Sequence, residues 1–295
     1  MHVKEWTKLG TETWYFPGPC NIGFCNGLVI DGADWKSAPK AVGAMETAGL
    51  KPRWLLNTHA HPDHFGGDYL FKELGAKLLA TREQRPYIEQ KELGSLFSYG
   101  AVTSHREYTA PEHMKARPLD VDRVITPGTL DLDGARFTLE EHFGHNNDQL
   151  SITTPDNIVF LGDILTPEKT LQFFKLIQII SVKDALADID AVEHMDAKLF
   201  VPAHGDAVDD PARLCALNRA RIMEIIGIAL DSCAEPQCKE QVVARVLSRL
   251  GVANPQFGNF FMTRVTVGAV LAYLVDENLV DPFIDENCLL VYRRA

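Results

Sequence analysis

The first third of the chain alternates short apolar runs with stretches of helical spacing. LVID (28–31) and RWLLN (53–57) are too short for buried helices and read as strands. Between them, residues 36 to 49 carry apolar positions three and four apart and end at Gly49, which predicts a helix. DYLFKEL (68–74) repeats the helical spacing up to Gly75, and AKLLAT (76–81) is the next strand. Strand, helix, strand in this order is an α/β arrangement.

From 121 onward the apolar period changes to two. TLDLDGARFTLEEHF sets Asp133-Gly134 between two alternating runs, and SITTPDNIVFLGD does the same around Pro155-Asp156-Asn157, so both read as hairpins. A helical stretch follows to about 195, and AKLFVPAHG (197–205) is a strand with a polar end. Strands in runs with helices outside predict two sheets sandwiched between helical layers. At Asp209-Asp210-Pro211 a helix-start signature marks a boundary, because proline at the first helical position loses no hydrogen bond. Beyond it, residues 211–231, 236–250 and about 262–278 read as helices, and 280–294 as a hairpin turning near Asp285–Asn287. Helices followed by a two-stranded wing predict a winged-helix-like module. The expected division is therefore a larger domain over 1–210 and a smaller one over 211–295, with no internal repeat.

Composition adds limits. Of 295 residues, 46% are apolar and 23% charged, enough apolar material for a sizeable core. A net charge of −11 argues against a protein that coats nucleic acid or an anionic membrane, since both demand a basic surface. Residues 211–295 balance nine basic against nine acidic side chains, so a structural or dimer-forming role, up to a homodimer, or one bordering the active site, is preferred there over DNA reading. The N-terminal stretch has no basic segment leading into an apolar run, and no run of 18 apolar residues occurs, so a cytoplasmic protein without membrane contact is expected. Cys20, Cys25, Cys215, Cys233, Cys238 and Cys288 are scattered and read as reduced, mostly buried thiols; neither close pair has the two-residue gap of a zinc knuckle.

The chemistry concentrates in LLNTHAHPDHFGG (55–67), which packs three histidines and an aspartate between His59 and His64. Imidazole nitrogens and carboxylate oxygens are the donors that zinc, iron or manganese take from proteins. His59 and His61, two apart, can point the same way in extended chain and share an ion, while Asp63 and His64 turn past Pro62 toward a second. Gly66 and Gly67 are expected to let the backbone bend sharply into the next helix. His145, Asp163 and His204 each follow a predicted strand, so four loops at strand ends deliver parts of one shell.

His59-Ala60-His61-Pro62-Asp63-His64, His145, Asp163 in LGD and His204 in PAHG together resemble the metallo-β-lactamase superfamily, in its glyoxalase II-like or β-lactamase-like branch, over residues from about 12 to 208. The resemblance implies an αββα sandwich binding two divalent metal ions, zinc foremost, with iron and manganese the other metals. Carried over by position, His59, His61 and His145 would hold the first metal, Asp63, His64 and His204 the second, and Asp163 would bridge them. It further implies a binuclear hydrolase whose metal-bridging hydroxide, oriented by Asp63 as catalytic residue, attacks a small ester, thioester or lactone; a phosphodiesterase or ribonuclease using the same metals is the alternative. The chain departs from the family in Gly144-His145-Asn146-Asn147-Asp148 and in LVIDG, without losing a ligand. It has no GxSxG elbow and no P-loop, and His61 stands where the oxygen-reducing diiron branch carries glutamate.

Weaker signals complete the reading. The stretch 94–118, with Tyr99, His105, Arg106, Tyr108 and Lys115, is either an active-site cover or a surface excursion. Phe173, Phe174, Ile177 and Ile180 in LQFFKLIQII are expected in the core, with a pocket wall as the second role. His142, three before His145, is expected at the surface, with a supporting donor behind the metal ligands as the second role; His2, His105, His113 and His194 are expected at the surface.

Overall fold

The structure is a computed structural model that describes residues 5–90, 93, 116–253 and 255–295. Tyr99, His105, Arg106, Tyr108, His113 and Lys115, which carry the expectations for 94–118, lie outside the described residues, as does His2.

A seven-stranded sheet keeps chain order: β1 (Thr7–Lys8), β2 (Thr13–Phe16), β3 (Ile22–Cys25), β4 (Leu28–Ile30), β5 (Trp54–Leu56), β6 (Lys77–Thr81) and β7 (Arg123–Ile125). The first four pair antiparallel, and β4 to β7 pair parallel. Parallel neighbours need crossovers, which are supplied by α1 (Ala38–Ala48) and by α2 (Pro62–Phe65) with α3 (Asp68–Glu73); α4 (Gln84–Glu89) follows β6. α1 ends as expected, on Gly49 in the left-handed region at φ +70°.

The second sheet has five strands in the order β12 (Leu199–Pro202), β11 (Ile158–Gly162), β10 (Gln149–Thr153), β9 (Ala135–His142), β8 (Gly128–Leu132). Both predicted hairpins are present, β8–β9 around Asp133-Gly134 and β10–β11 around Asn157, with all three residues at positive φ. β12 joins parallel to β11 after a crossover through α5 (Glu168–Phe174) and α6 (Val182–His194). The single helical stretch read from sequence is thus two helices, parted where Lys175 takes φ +59°.

Alternation along the strands builds the layers. Leu28 and Ile30 of β4 meet Ile158 and Phe160 of β11 between the sheets, while Val29 faces Met45 of α1 and Val159 faces the α6 side. The α/β sandwich with helices on both outer faces follows directly.

The last third forms α7 (Ala212–Ser232), α8 (Lys239–Arg249), α9 (Phe257–Asp276) and a three-stranded antiparallel sheet of β13 (Gln237–Cys238), β15 (Leu290–Arg294) and β14 (Val280–Ile284). Helix α8 starts later than the sequence suggested because Gln237 and Cys238 pair with β15. α9 starts earlier, at Phe257, behind an extended Gln256. By length and composition α9 could cross a membrane, yet its Val267, Val270, Leu271 and Leu274 are buried in the core shared with α7 and α8. That core is continuous with Ile177, Ile179 and Ile189 of the sandwich.

Candidate metal centre

The strand-end loops of both sheets meet at one end of the sandwich. His59 follows β5 through Asn57 and Thr58, His145 lies in the β9–β10 connection, Asp163 directly follows β11, and His204 lies two residues past β12. His61 is extended (φ −82°, ψ 145°) and caps α2, whose first residue is Pro62, so Asp63 and His64 leave on a helical turn. Gly66 and Gly67 carry the chain from α2 into α3 at ordinary right-handed φ, and the absence of a Cβ is what permits the close approach there. A Cβ on Gly67 would lie 2.3 Å from both Ala38 Cβ and the Gly32 carbonyl oxygen.

All seven side chains singled out from sequence converge here. His61 Nδ1 lies 2.8 Å from His59 Nε2 and 3.1 Å from His145 Nε2, and His145 Nε2 lies 3.5 Å from Asp163 Oδ2. On the other side, His204 Nε2 lies 3.6 Å from Asp63 Oδ2 and 3.3 Å from Asp163 Oδ1, and His64 Nε2 lies 3.7 Å from that same Oδ1. The two oxygens of Asp163 therefore face two separate donor groups, each compact enough to hold a metal ion.

The groups differ electrostatically. Burial and the neighbouring imidazoles push His59 far below its usual range and His61 down to about 3, and burial lowers His145. The first group therefore presents neutral nitrogens. Burial also opposes charge on His64 and His204, but neighbouring acidic groups outweigh it: Cys20, Asp31 and Asp163 hold His64 well above its usual range, and Asp163 with Asp63 raises His204 to about 9. Burial opposes ionisation of Asp163 and Asp63 too, and the imidazolium charges overcome it in both. Imidazolium protons thus stand in the second group where a cation could stand.

Comparison with known proteins gives the lineage. The profile described as the metallo-beta-lactamase superfamily matches residues 18–204, which hold all seven. The chain belongs to that superfamily. Superfamily members are metal-dependent hydrolases, and this chain is one of them. A beta-lactamase domain protein from Burkholderia ambifaria has a similar structure, with a TM-score of 0.74 at 16% identity over 100% of this chain and 94% of its own. A metallo-beta-lactamase family protein from Thermus thermophilus reaches 0.71 at 18% identity, covering 96% and 98%. A metallo-beta-lactamase from Cronobacter sakazakii matches with 0.57 at 18%, covering 76% of this chain and 96% of its own.

Around the superfamily's His/Asp cluster, the second ring nitrogens of His145, His204 and His64 are engaged, the usual means of fixing a ligand's tautomer. His145 Nδ1–H donates to the Gln178 carbonyl (3.0 Å), and His204 Nδ1–H donates to the Pro19 carbonyl. His64 Nδ1 lies 3.2 Å from Asp31 Oδ2, 3.3 Å from Thr58 Oγ1 and 3.8 Å from Cys20 Sγ. Asn21 donates to the carbonyls of Pro202 (2.9 Å) and Gly205 (2.7 Å), bracketing His204. Sequence reading missed this Pro19–Asn21 turn, Asp31 and Gln178; the Asp-Gly step after β4 was the one available sign. Asp148 Oδ2 accepts the Ala60 N–H at 2.9 Å, between the first two histidines, and burial raises that carboxyl to about 7.

Two expectations are corrected. His142 is not at the surface: it is buried, with Nδ1 3.0 Å from Asp188 Oδ1 and Nε2 3.0 Å from Ser151 Oγ. Asp188 also accepts the Gly144 N–H (2.8 Å), so His142 helps anchor the loop that carries His145. Phe173 and Phe174 are exposed, at 79% and 41%, because α5 turns that face to solvent; Ile177 is buried and lines a hollow beside His145 and Asp163. His194 is exposed, as expected.

Proposed function

We propose that the chain is a binuclear metal-dependent hydrolase acting on a small ester, thioester or lactone. The carrying observation is His64 Nε2, a fully buried nitrogen with no hydrogen-bond partner that faces the shared Asp163 carboxylate. Leaving such a group unmatched costs on the order of 1–3 kcal/mol, and a cation between these donors removes the mismatch. The donor set fits: imidazole and carboxylate are zinc's ligand types, and iron and manganese accept them too. His59, His61 and His145 would hold one ion, Asp63, His64 and His204 the other, and Asp163 would offer an oxygen to each.

Two bound cations would supply Lewis-acid polarisation of an acyl oxygen and a nucleophile competent near neutral pH. The chain's own residues do the rest. The three neutral histidines offer lone pairs without first shedding protons. Asp63, ionised and partly exposed, is the carboxylate available to orient an attacking water and accept its proton at Oδ2. Asp31 and the Gln178 carbonyl hold the rings of His64 and His145 in place.

The hollow beside His145 and Asp163, lined by Ile164, Ile177 and Ile179, has room for about one water and is not where a substrate would sit. Arg213, Arg221 and Arg264 of α7 and α9 are paired with Glu168, Glu224 and Glu240. The pairing of these arginines and the net charge of −11 favour a small acyl compound over a polyanionic phosphodiester. We read the order α7, β13, α8, α9, β14, β15 as winged-helix-like, and its balanced charge fits a structural role. The unpaired state of all six cysteines supports a reducing, cytoplasmic setting.

The test is His61→Ala and Asp163→Ala, assayed for metal content and for turnover of a thioester, lactone and phosphodiester panel. Both variants should lose bound metal and hydrolysis, with the parent preferring acyl substrates. Full metal content with retained turnover overturns the site, and preferred phosphodiester turnover overturns the substrate class.

A further inference from the structure

The segment 175–181 links α5 to α6 and passes between the His145 loop and the C-terminal helices. On the site side, the Gln178 carbonyl accepts the His145 Nδ1–H at 3.0 Å, and the Ile180 N–H donates to the Gly144 carbonyl at 2.8 Å. With the proton on Nδ1, the lone pair of His145 Nε2 is left for the cluster. On the opposite side, three C-terminal elements grip the segment. Arg221 of α7 donates to the Lys175 carbonyl, and Lys175 Nζ donates to the Gly251 carbonyl beyond α8 at 3.1 Å. Thr266 of α9 donates its hydroxyl to the Ile177 carbonyl at 2.9 Å and accepts a longer contact from the Ile179 N–H at 3.4 Å. The Ile177 carbonyl belongs to the peptide group before Gln178, and the Ile179 N–H to the peptide group that carries the Gln178 carbonyl itself.

Thr266 is buried (1% exposed) on the face of α9 that also carries Thr263, Val267, Val270, Leu271 and Leu274. A threonine inside a helix commonly returns its hydroxyl to the carbonyl four residues back, and Thr263 does so, to Asn259 at 2.6 Å. Thr266 sends its hydrogen bond out of the helix. A valine would fill the same space with higher apolar burial, so what the hydroxyl adds is its grip on 177–179.

We propose that Thr266 is a positioning residue for the metal centre: its hydroxyl clamps the peptide groups on either side of Gln178 and so holds the carbonyl that orients His145. The C-terminal helices thereby set the direction of a ring that none of their own side chains ligates. This rests on the reading of His145 as a ligand.

The test compares parent, Thr266→Val, Thr266→Ser and His145→Ala by zinc competition titration and by NMR of the His145 Nδ1 proton. Thr266→Val should bind the ion of the three-histidine group roughly 10–100-fold more weakly, the usual effect of losing such an outer partner, and its Nδ1 proton should lose protection from exchange. Thr266→Ser should restore both, and His145→Ala should lose that ion outright. Folded Thr266→Val with affinity within about twofold of the parent and a protected proton overturns the clamp, while loss in His145→Ala keeps the ligand reading. Parental affinity in His145→Ala overturns both. Should Thr266→Val not fold, Thr266→Cys, a weaker donor of similar volume, is read the same way: intermediate affinity supports the clamp and parental affinity overturns it.

Discussion

At the scale of single residues, the seven side chains were legible because they lie in the segments that follow β5, β9, β11 and β12 and each is of a type that metals take. Their supporting partners were not. Gln178 and Pro19 act through backbone carbonyls, which leave no mark on residue type, and Asp31 meets His64 only once β4 and β5 pair. What the residue scale does predict is pH dependence. In metal-free protein His204 is raised from 6.5 to about 9 by its carboxylate neighbours, so folding favours its protonated form. That contribution is fully present below the unfolded value and is lost as pH rises through about 9; it is on the order of 2 kcal/mol for a mostly buried group. Urea midpoints of the metal-stripped parent should therefore fall between pH 6.5 and 10 by more than those of His204→Gln. Equal falls would show that His204 is not ion-paired as described. The same protonation means that a second zinc ion, bound near His64 and His204, should release protons at pH 7 while the first releases few. Calorimetric titration in two buffers of different ionisation enthalpy reads this directly.

At the scale of elements, long periodic stretches were legible and short ones were not. α1, both hairpins of the second sheet and α7 lie close to where the apolar pattern put them. β1, β2 and β3 did not register, because strands of two to four residues interrupted by Gly10, Pro17 and Gly18 offer too few positions for a period. The break between α5 and α6 was hidden because Lys175 adopts a left-handed conformation with no glycine to announce it. Packing between elements leaves even less trace, and Gly144 is the clearest case. A Cβ there would lie 2.4 Å from Ala185 Cα, so α6 rests against the backbone of the His145 loop. Gly144→Ala must push α6 and that loop apart. The expected cost is about 1–3 kcal/mol in denaturant unfolding, together with weaker metal binding, since Asp188 and the Ile180 N–H both anchor Gly144. Unchanged stability and metal affinity would mean that the approach is looser than the backbone distances indicate.

At the scale of the whole molecule, the helix that starts after Pro211 was readable from Asp210-Pro211, but its contact with the sandwich was not. Ile177, Ile179, Val182 and Ile189 share one buried cluster with Ile222, Ile225, Val267 and Leu271 of α7 and α9. Apolar periodicity on each helix says that a face is buried and nothing of which face meets which. Removing residues 211–295 leaves every metal-facing side chain in place yet strips the cover from that cluster. Each large side chain returned to water costs roughly 1.5–3 kcal/mol, so losing four or more such burials approaches the whole stability of a domain, about 5–15 kcal/mol. The 1–210 fragment should accordingly be aggregated or molten, binding a hydrophobic dye and lacking near-ultraviolet dichroism, even in the presence of zinc. A fragment that fails in this way would trace to the apolar outer face of the sandwich that α7 and α9 cover. If 1–210 instead were monomeric, cooperatively folded and bound zinc as the full chain does, the shared core would contribute little, and the support of 175–181 by α7 and α9 would have to be dispensable as well.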